Sequence, residues 1–258
     1  MTKITLINPT ITAEWNEENL QVYLAAAKPD TQLRVVCLEW GTASIEARVD
    51  DALAAPGVLQ RAIEAEQAGA EAVIVNCMND PGVLAAREMV SIPVIGPLEA
   101  SMHLAAMLSH RFSIVTTATS DIPSVEELVQ RYHMRQRLAS VRALDIPVLE
   151  LLNDPKATLE AMVTATEAAV RQDGAGAIIP GCTLLAEITP QVVELLAAQG
   201  LNVPLLNPPL VALHLAEMLI ALRLSHSRRA YPTPNEKPIR WFTPHPAISS
   251  PRPSPPEG

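Results

Sequence analysis

Short apolar runs alternate along this chain with longer, alanine-rich segments of mixed pattern, and Gly, Pro, Asn or Asp separates most of them. Lys3 to Ile7, Leu33 to Leu38, Ala72 to Val75 and Pro93 to Ile95 read as strands. Glu14 to Ala27, an alanine-rich region ending at Gly69, and the stretch from Asp80 to about Val90 read as helices. Asp80-Pro81-Gly82 has the form of an N-cap followed by proline at the first helical position. The order then restarts. Phe112 to Thr116, Ser140 to Ala143, Ala177 to Pro180 and Pro204 to Leu206 read as strands. Pro123 to Tyr132, the segment from Asp154-Pro155 to Gln172, and a segment ending at Gln199 read as helices. Strand alternating with helix predicts an α/β fold of parallel sheets covered by helices.

The restart is a repeat. Glu66-Gln-Ala-Gly-Ala-Glu-Ala-Val-Ile-Val-Asn-Cys77 aligns without a gap on Arg171-Gln-Asp-Gly-Ala-Gly-Ala-Ile-Ile-Pro-Gly-Cys182. Pro93, Pro97, His103, Leu104, Ala105, Met107 and Leu108 recur as Pro204, Pro208, His214, Leu215, Ala216, Met218 and Leu219. Duplication at this scale predicts two pseudo-symmetric lobes, each a mostly parallel sheet flanked by helices, with a cleft between them. The matching helices that end each half suggest crossovers. The expected division is 1–98 plus 207–226 for the first lobe and 99–206 for the second. From Ser227 the composition shifts to a proline-rich stretch, 227–258, expected to be an extended and weakly ordered tail in which Trp241-Phe242 has scope to dock on a neighbouring subunit.

Composition narrows the function. The 258 residues are 48% hydrophobic but only 3% aromatic, so alanine, leucine and valine must build a sizeable core. The net charge of −9, with no basic run beyond Ser227-Arg228-Arg229, argues against nucleic-acid and membrane-surface partners. No apolar stretch approaches the roughly 18 residues of a membrane span. The N-terminus is a strand pattern rather than a signal peptide, and the cysteines at 37, 77 and 182 form no CxxC. A reduced, cytoplasmic setting and a small-molecule substrate are expected.

Cysteine carries the candidate chemistry. Ligands of open parallel sheets bind beyond the carboxyl ends of strands, where Cys77 and Cys182 both fall. A cysteine preceding a helix N-terminus is expected to favour its thiolate. If the lobes face each other, one thiol approaches each side of a ligand. That suits inversion of a carbon acid: one thiolate removes a proton and the opposite thiol delivers one. Backbone N–H groups and the hydroxyls of Thr116, Thr117 and Thr183 are candidates to stabilise the developing oxyanion. Asn76, Asn79 and Asp80 supply polar company around the first thiol. The chemistry requires no metal or organic cofactor, and no zinc-ligand spacing is present. A lone cysteine is most often a small inert hydrophobe, and Cys37 is read that way. For Cys77 and Cys182 the repeat tips the balance, because packing alone would tolerate Val or Ala at either position. His103 and His214 read as packing or snorkelling residues. Glu99 and Glu187 read equally well as helix-start or site carboxylates.

Asn76-Cys77-Met-Asn-Asp80-Pro81-Gly82, Arg87 and Ile92-Pro93-Val94-Ile95-Gly96-Pro97-Leu-Glu99-Ala100 resemble the corresponding run of hydantoin racemases, in the wider aspartate/glutamate racemase superfamily. Ile7-Asn8-Pro9 and Gly181-Cys182-Thr183 do so as well. The resemblance covers residues 1 to about 226. It implies a cofactor-independent racemase with Cys77 and Cys182 as opposed acid/base residues. Asn8, Asn76, Met78, Thr116, Thr117, Gly181 and Thr183 would contact the substrate, and a homo-oligomer is expected. Met78-Asn79 departs from the hydantoin branch, and Leu184-Leu185-Ala186-Glu187 is closer to the amino-acid racemases. Alternatives are an allantoin or Asp/Glu racemase, a maleate-isomerase-like or decarboxylase-like cysteine enzyme, and a two-lobed small-molecule binding protein.

Overall fold

A computed structural model of the chain describes residues 1–14 and 16–238. The first series of elements is β1 (Thr2–Asn8), α1 (Asn16–Ala26), β2 (Thr31–Cys37), α2 (Arg48–Gln67), β3 (Ala72–Val75), α3 (Val83–Met89), β4 (Val94–Ile95) and α4 (Pro97–Leu108). The second is β5 (Phe112–Thr116), α5 (Ile122–Arg131), β6 (Leu138–Ala143), α6 (Pro155–Arg171), β7 (Ala177–Pro180), α7 (Thr189–Ala198) and α8 (Pro208–Ala221). The strands form two wholly parallel sheets, ordered β2-β1-β3-β4 and β6-β5-β7. A fourth strand of the second sheet, expected over Pro204–Leu206, contracts to a parallel bridge between Leu205 and Ile178. The fold is α/β, with two lobes built on the same plan.

Why the strand signals are unbroken apolar runs is now plain. Every residue of β3 and of β7 is buried, because helices cover both faces. The matching helices cross over. Leu98, Met102 and Ala105 of α4 pack with Phe112, Ile114, Ala177 and Ile179 of the second sheet. Ala212, Leu213 and Ala216 of α8 pack with Ile4, Leu6, Ala72 and Ile74 of the first. Glu217 anchors α8 there: its buried carboxylate accepts from the Lys28 N–H at 2.9 Å and from the Thr31 hydroxyl at 2.7 Å.

Helix starts show how the two halves diverged. Asp154 caps α6 through the Ala157 N–H at 3.0 Å, and Asn207 caps α8 through the Leu210 N–H at 3.4 Å. Gly96, the counterpart of Asn207, has no capping side chain. Asp80 supplies one from a distance, its two oxygens accepting from Leu98 N–H at 3.2 Å and Glu99 N–H at 3.0 Å. Asp80 therefore caps α4 and not the helix that follows it, as its position before Pro81 suggested. The helix after it begins at Val83, behind a left-handed Gly82 at φ 69°.

The C-terminal segment also departs from expectation. Residues 225–231 pack on α3 and β4. Arg228 donates to the carbonyls of Arg87 and Val90, and the Tyr231 hydroxyl lies 3.2 Å from the Arg87 guanidinium. Trp241 and Phe242 lie outside the described residues. Among the described residues no helix is long and apolar enough to cross a membrane.

Candidate functional site

The carboxyl ends of β1, β3, β5 and β7 meet around one cavity of about 150 Å³. Asn8 ends β1, Asn76 and Cys77 follow β3, Thr116 ends β5, and Gly181 and Cys182 follow β7. Parallel pairing puts them side by side. The Asn76 N–H reaches the Ile7 carbonyl at 2.8 Å, and the Gly181 N–H reaches the Val115 carbonyl at 2.7 Å. A side chain at Gly181 would stand 2.9 Å from the Thr116 Cα and from the Val115 oxygen, so only glycine lets these strand ends close up.

All nine residues singled out from the sequence line this cavity: Asn8, Asn76, Cys77, Met78, Thr116, Thr117, Gly181, Cys182 and Thr183. Both thiols are reduced and half-buried. Met78, 5% exposed, forms an apolar wall continuous with the second lobe's core. Cys37 does not reach the cavity. It is not the inert core residue expected of an apolar strand, for its Sγ lies 3.1 Å from the Thr12 carbonyl and 3.3 Å from Asn16 Oδ1. His103 is exposed, and His214 sits on the surface against Glu217. Glu99 forms an ion pair with the buried Arg87 outside the cavity.

The surroundings of both cysteines favour the neutral thiol over the expected thiolate. Burial pushes Cys77 far above the ordinary thiol range, and charge on Cys182, Asp51 or Asp80 pushes it further. The Asn79 N–H, 3.5 Å from its sulfur, opposes this weakly. Cys182 is pushed up to about 11 by burial, against the Leu184 N–H, with Glu46 and Asp121 adding to the rise. The helix dipole does not reverse the effect, because α3 begins only at Val83 and only a short 3₁₀ turn, Thr183–Ala186, follows Cys182. Charge on Cys182, once formed, favours the protonated form of Cys77.

Several residues that organise the site were not singled out from the sequence. Asp121 Oδ2 accepts from the Thr117 hydroxyl at 3.1 Å, the Thr116 hydroxyl at 3.5 Å and the Ala118 N–H at 3.2 Å. The Thr117 hydroxyl is thus directed to Asp121, with that of Thr116 at the limit of reach, which leaves oxygen lone pairs toward the cavity. That engagement argues against the oxyanion-donor role expected of them. On the other side, Tyr23 donates to Asn76 Oδ1 at 2.9 Å, Asn76 donates to Asn8 Oδ1 at 2.8 Å, and Asn8 donates to Asn16 Oδ1 at 2.5 Å. This chain locks both amides in place. Asp121 sits at an ordinary helix start, reaching back to the Ala118 N–H, which hid its place in the site; buried Tyr23 left no signal, since its partner lies 53 residues away.

Charged residues rim the cavity: Glu46, Asp51, Asp121 and Glu127 against Arg48 and Arg131. Arg48 and Glu127 pair in two-pronged fashion at 2.5 and 2.8 Å, joining α2 of the first lobe to α5 of the second. Glu46 accepts from the Val148 N–H at 3.2 Å, a second tie between the lobes. Among the described residues no three His, Cys, Asp or Glu side chains converge as metal ligands would.

Comparison with known proteins agrees with this geometry. The family model described as Asp/Glu/Hydantoin racemase matches residues 4–216. A hydantoin racemase of Pseudomonas sp. (strain NS671) is 34% identical over 236 residues, 91% of this chain and 93% of its own. A hydantoin racemase of Rhizobium meliloti is 33% identical over 89% of this chain and 94% of its own. The solved allantoin racemase from Klebsiella pneumoniae superposes with a TM-score of 0.87 at 34% identity, over 93% of this chain and 97% of that one. The chain belongs to the Asp/Glu/hydantoin racemase family.

Proposed function

We propose that this protein racemises a 5-substituted hydantoin or similar cyclic ureide, with Cys77 and Cys182 exchanging protons on opposite faces of the ring carbon next to a carbonyl. One observation carries the reading: the two cysteines that the repeat makes equivalent line the same cavity, and the charge of Cys182 is felt at Cys77. In one direction Cys182, having first released its own proton to solvent, takes the proton from the ring carbon as the thiolate. The C–H electron pair moves onto the adjacent carbonyl oxygen as an enolate. The Cys77 thiol then delivers its proton to the opposite face, the enolate pair re-forms a C–H bond, and the protein is left with Cys182 as thiol and Cys77 as thiolate. The enantiomer is processed by the same steps in reverse. The steps balance without a cofactor.

Three features of the cavity favour a cyclic ureide over the alternatives. A space of about 150 Å³ suits one small ring, since a cavity of that size accommodates benzene. The lone pairs of Thr116 and Thr117 suit the ring N–H donors of a ureide. Four carboxylates against two guanidiniums make the lining a poor host for aspartate, glutamate or a malonate, whose own carboxylates would be repelled. Oxyanion stabilisation falls to Thr183 and to backbone N–H groups near Leu184, because the other two threonines are already committed.

Circular dichroism of a single hydantoin enantiomer in D₂O, with deuterium at the ring carbon read by NMR, tests the proposal. The expected result is decay of the optical signal with deuterium incorporated, and no change for aspartate or glutamate. Decay without deuterium would contradict proton transfer through exchangeable thiols.

A further inference from the structure

After each cysteine the chain makes the same turn. The Asp80 N–H reaches the Cys77 carbonyl at 3.1 Å, and the Leu185 N–H reaches the Cys182 carbonyl at 3.2 Å. Continued past the cysteines, the repeat therefore sets Asp80 against Leu185, just as it sets Gly96 against Asn207. In the first half the polar residue is in the turn and the helix start is glycine; in the second the turn is apolar and the helix start is polar. Asp80 spans forward from the Cys77 turn to the start of α4, accepting from the Leu98 and Glu99 N–H groups. Asn207 spans backward from the start of α8 to the turn after Cys182, its amide donating to the Ala186 carbonyl at 3.1 Å. Leu185 is buried in the second lobe's apolar cluster. A polar link from cysteine turn to helix start thus survives in both halves, although neither residue type does.

The link joins each thiol to the opposite lobe. Cys77 follows a strand of the first sheet, and α4 packs on the second; Cys182 follows a strand of the second, and α8 packs on the first. Capping alone does not account for Asp80, since an Asn in place of Gly96 would cap α4 as Asn207 caps α8. Asp80 is instead kept 3% exposed and in a left-handed backbone at φ 48°, both of which cost stability. Neither Asp80 nor Asn207 is among the residues lining the cavity. Resting on the two-thiol reading above, we infer that Asp80 and Asn207 are positioning residues, one for each thiol. Asp80 fixes the Cys77 turn and Asn207 the Cys182 turn, each against the helix seated on the other lobe.

The test follows deuterium exchange from the separate enantiomers of 5-isobutylhydantoin in D₂O in two single-cysteine proteins. Cys182→Ser works through Cys77, and Cys77→Ser works through Cys182. Asp80→Gly removes the carboxylate and suits the left-handed backbone. It is expected to slow exchange through Cys77 by about tenfold or more, as a misplaced reacting group does, and exchange through Cys182 by less than about threefold. Asn207→Ser, still an N-cap but too short to reach the Ala186 carbonyl, should do the reverse. Loss of the Asp80 charge alone would ease ionisation of Cys77 and speed its exchange, so a fall reports position rather than charge. Asp80→Asn, which keeps the shape and one acceptor, should fall between, so the comparison survives poor folding of the glycine variant. Equal slowing through both thiols by either variant, or no slowing through the matching thiol, would overturn the inference alone. No exchange by the wild-type protein or by either single-cysteine protein would overturn the two-thiol reading, and this inference with it.

Discussion

At the scale of single residues, the cysteines were legible because duplication wrote them twice in register, whereas their protonation state was not. That state depends on burial and on Asp51, Asp80, Glu46 and Asp121, which come from separate parts of the chain. Likewise the sequence pointed to Thr116 and Thr117, which line the cavity, but the acceptor role proposed for them follows from Asp121, four residues beyond Thr117. The sign of the cysteine shift gives a prediction. Burial disfavours the charged form, so Cys182 is a thiol below about 11 and becomes a thiolate only as pH rises toward that value. Alkylation of Cys182 by iodoacetamide, followed by peptide mass spectrometry, should therefore accelerate about tenfold per pH unit from about pH 7 to 9, with no levelling near the ordinary thiol value of about 8.5. Levelling there would mean that the site does not shield its thiols.

At the scale of elements, the apolar runs located the strands well, and the main misreading concerned how one helix begins. A side chain that caps a helix is normally sought next to it, whereas Asp80 caps α4 from 18 residues away. The hint was Gly96, an N-cap glycine where the second half has Asn207. A Cβ at Gly96 would fall inside the Asp80 carboxyl, so glycine there is what admits the distant cap. Gly96→Ala should accordingly destabilise the protein by about 1–3 kcal/mol, the usual cost of overpacking. Paired with Asp80→Ala it should cost less than the sum of the two changes, because the clash then has no second party. Denaturant unfolding of the four proteins measures this, and strict additivity would show that the two residues act independently.

At the scale of the whole molecule, the two sheets present the carboxyl ends of their strands to one cavity, and α4 and α8 cross between the lobes to fix that arrangement. The repeat made two facing lobes legible from sequence. What it could not reveal was the set of ties across the cleft, Arg48 to Glu127 and Glu46 to the Val148 N–H, since none of these residues is part of the repeated segments. Those ties matter because a two-base mechanism needs both thiols held on opposite sides of one ring. The central claim is that each cysteine serves one face only. It is tested most directly by deuterium washout from the separate enantiomers of a hydantoin in D₂O, using Cys77→Ser and Cys182→Ser. Each variant should lose exchange from one enantiomer, and the two variants should lose opposite ones. Exchange from both enantiomers in both variants, or loss of the same enantiomer in each, would contradict the assignment of one cysteine to each face.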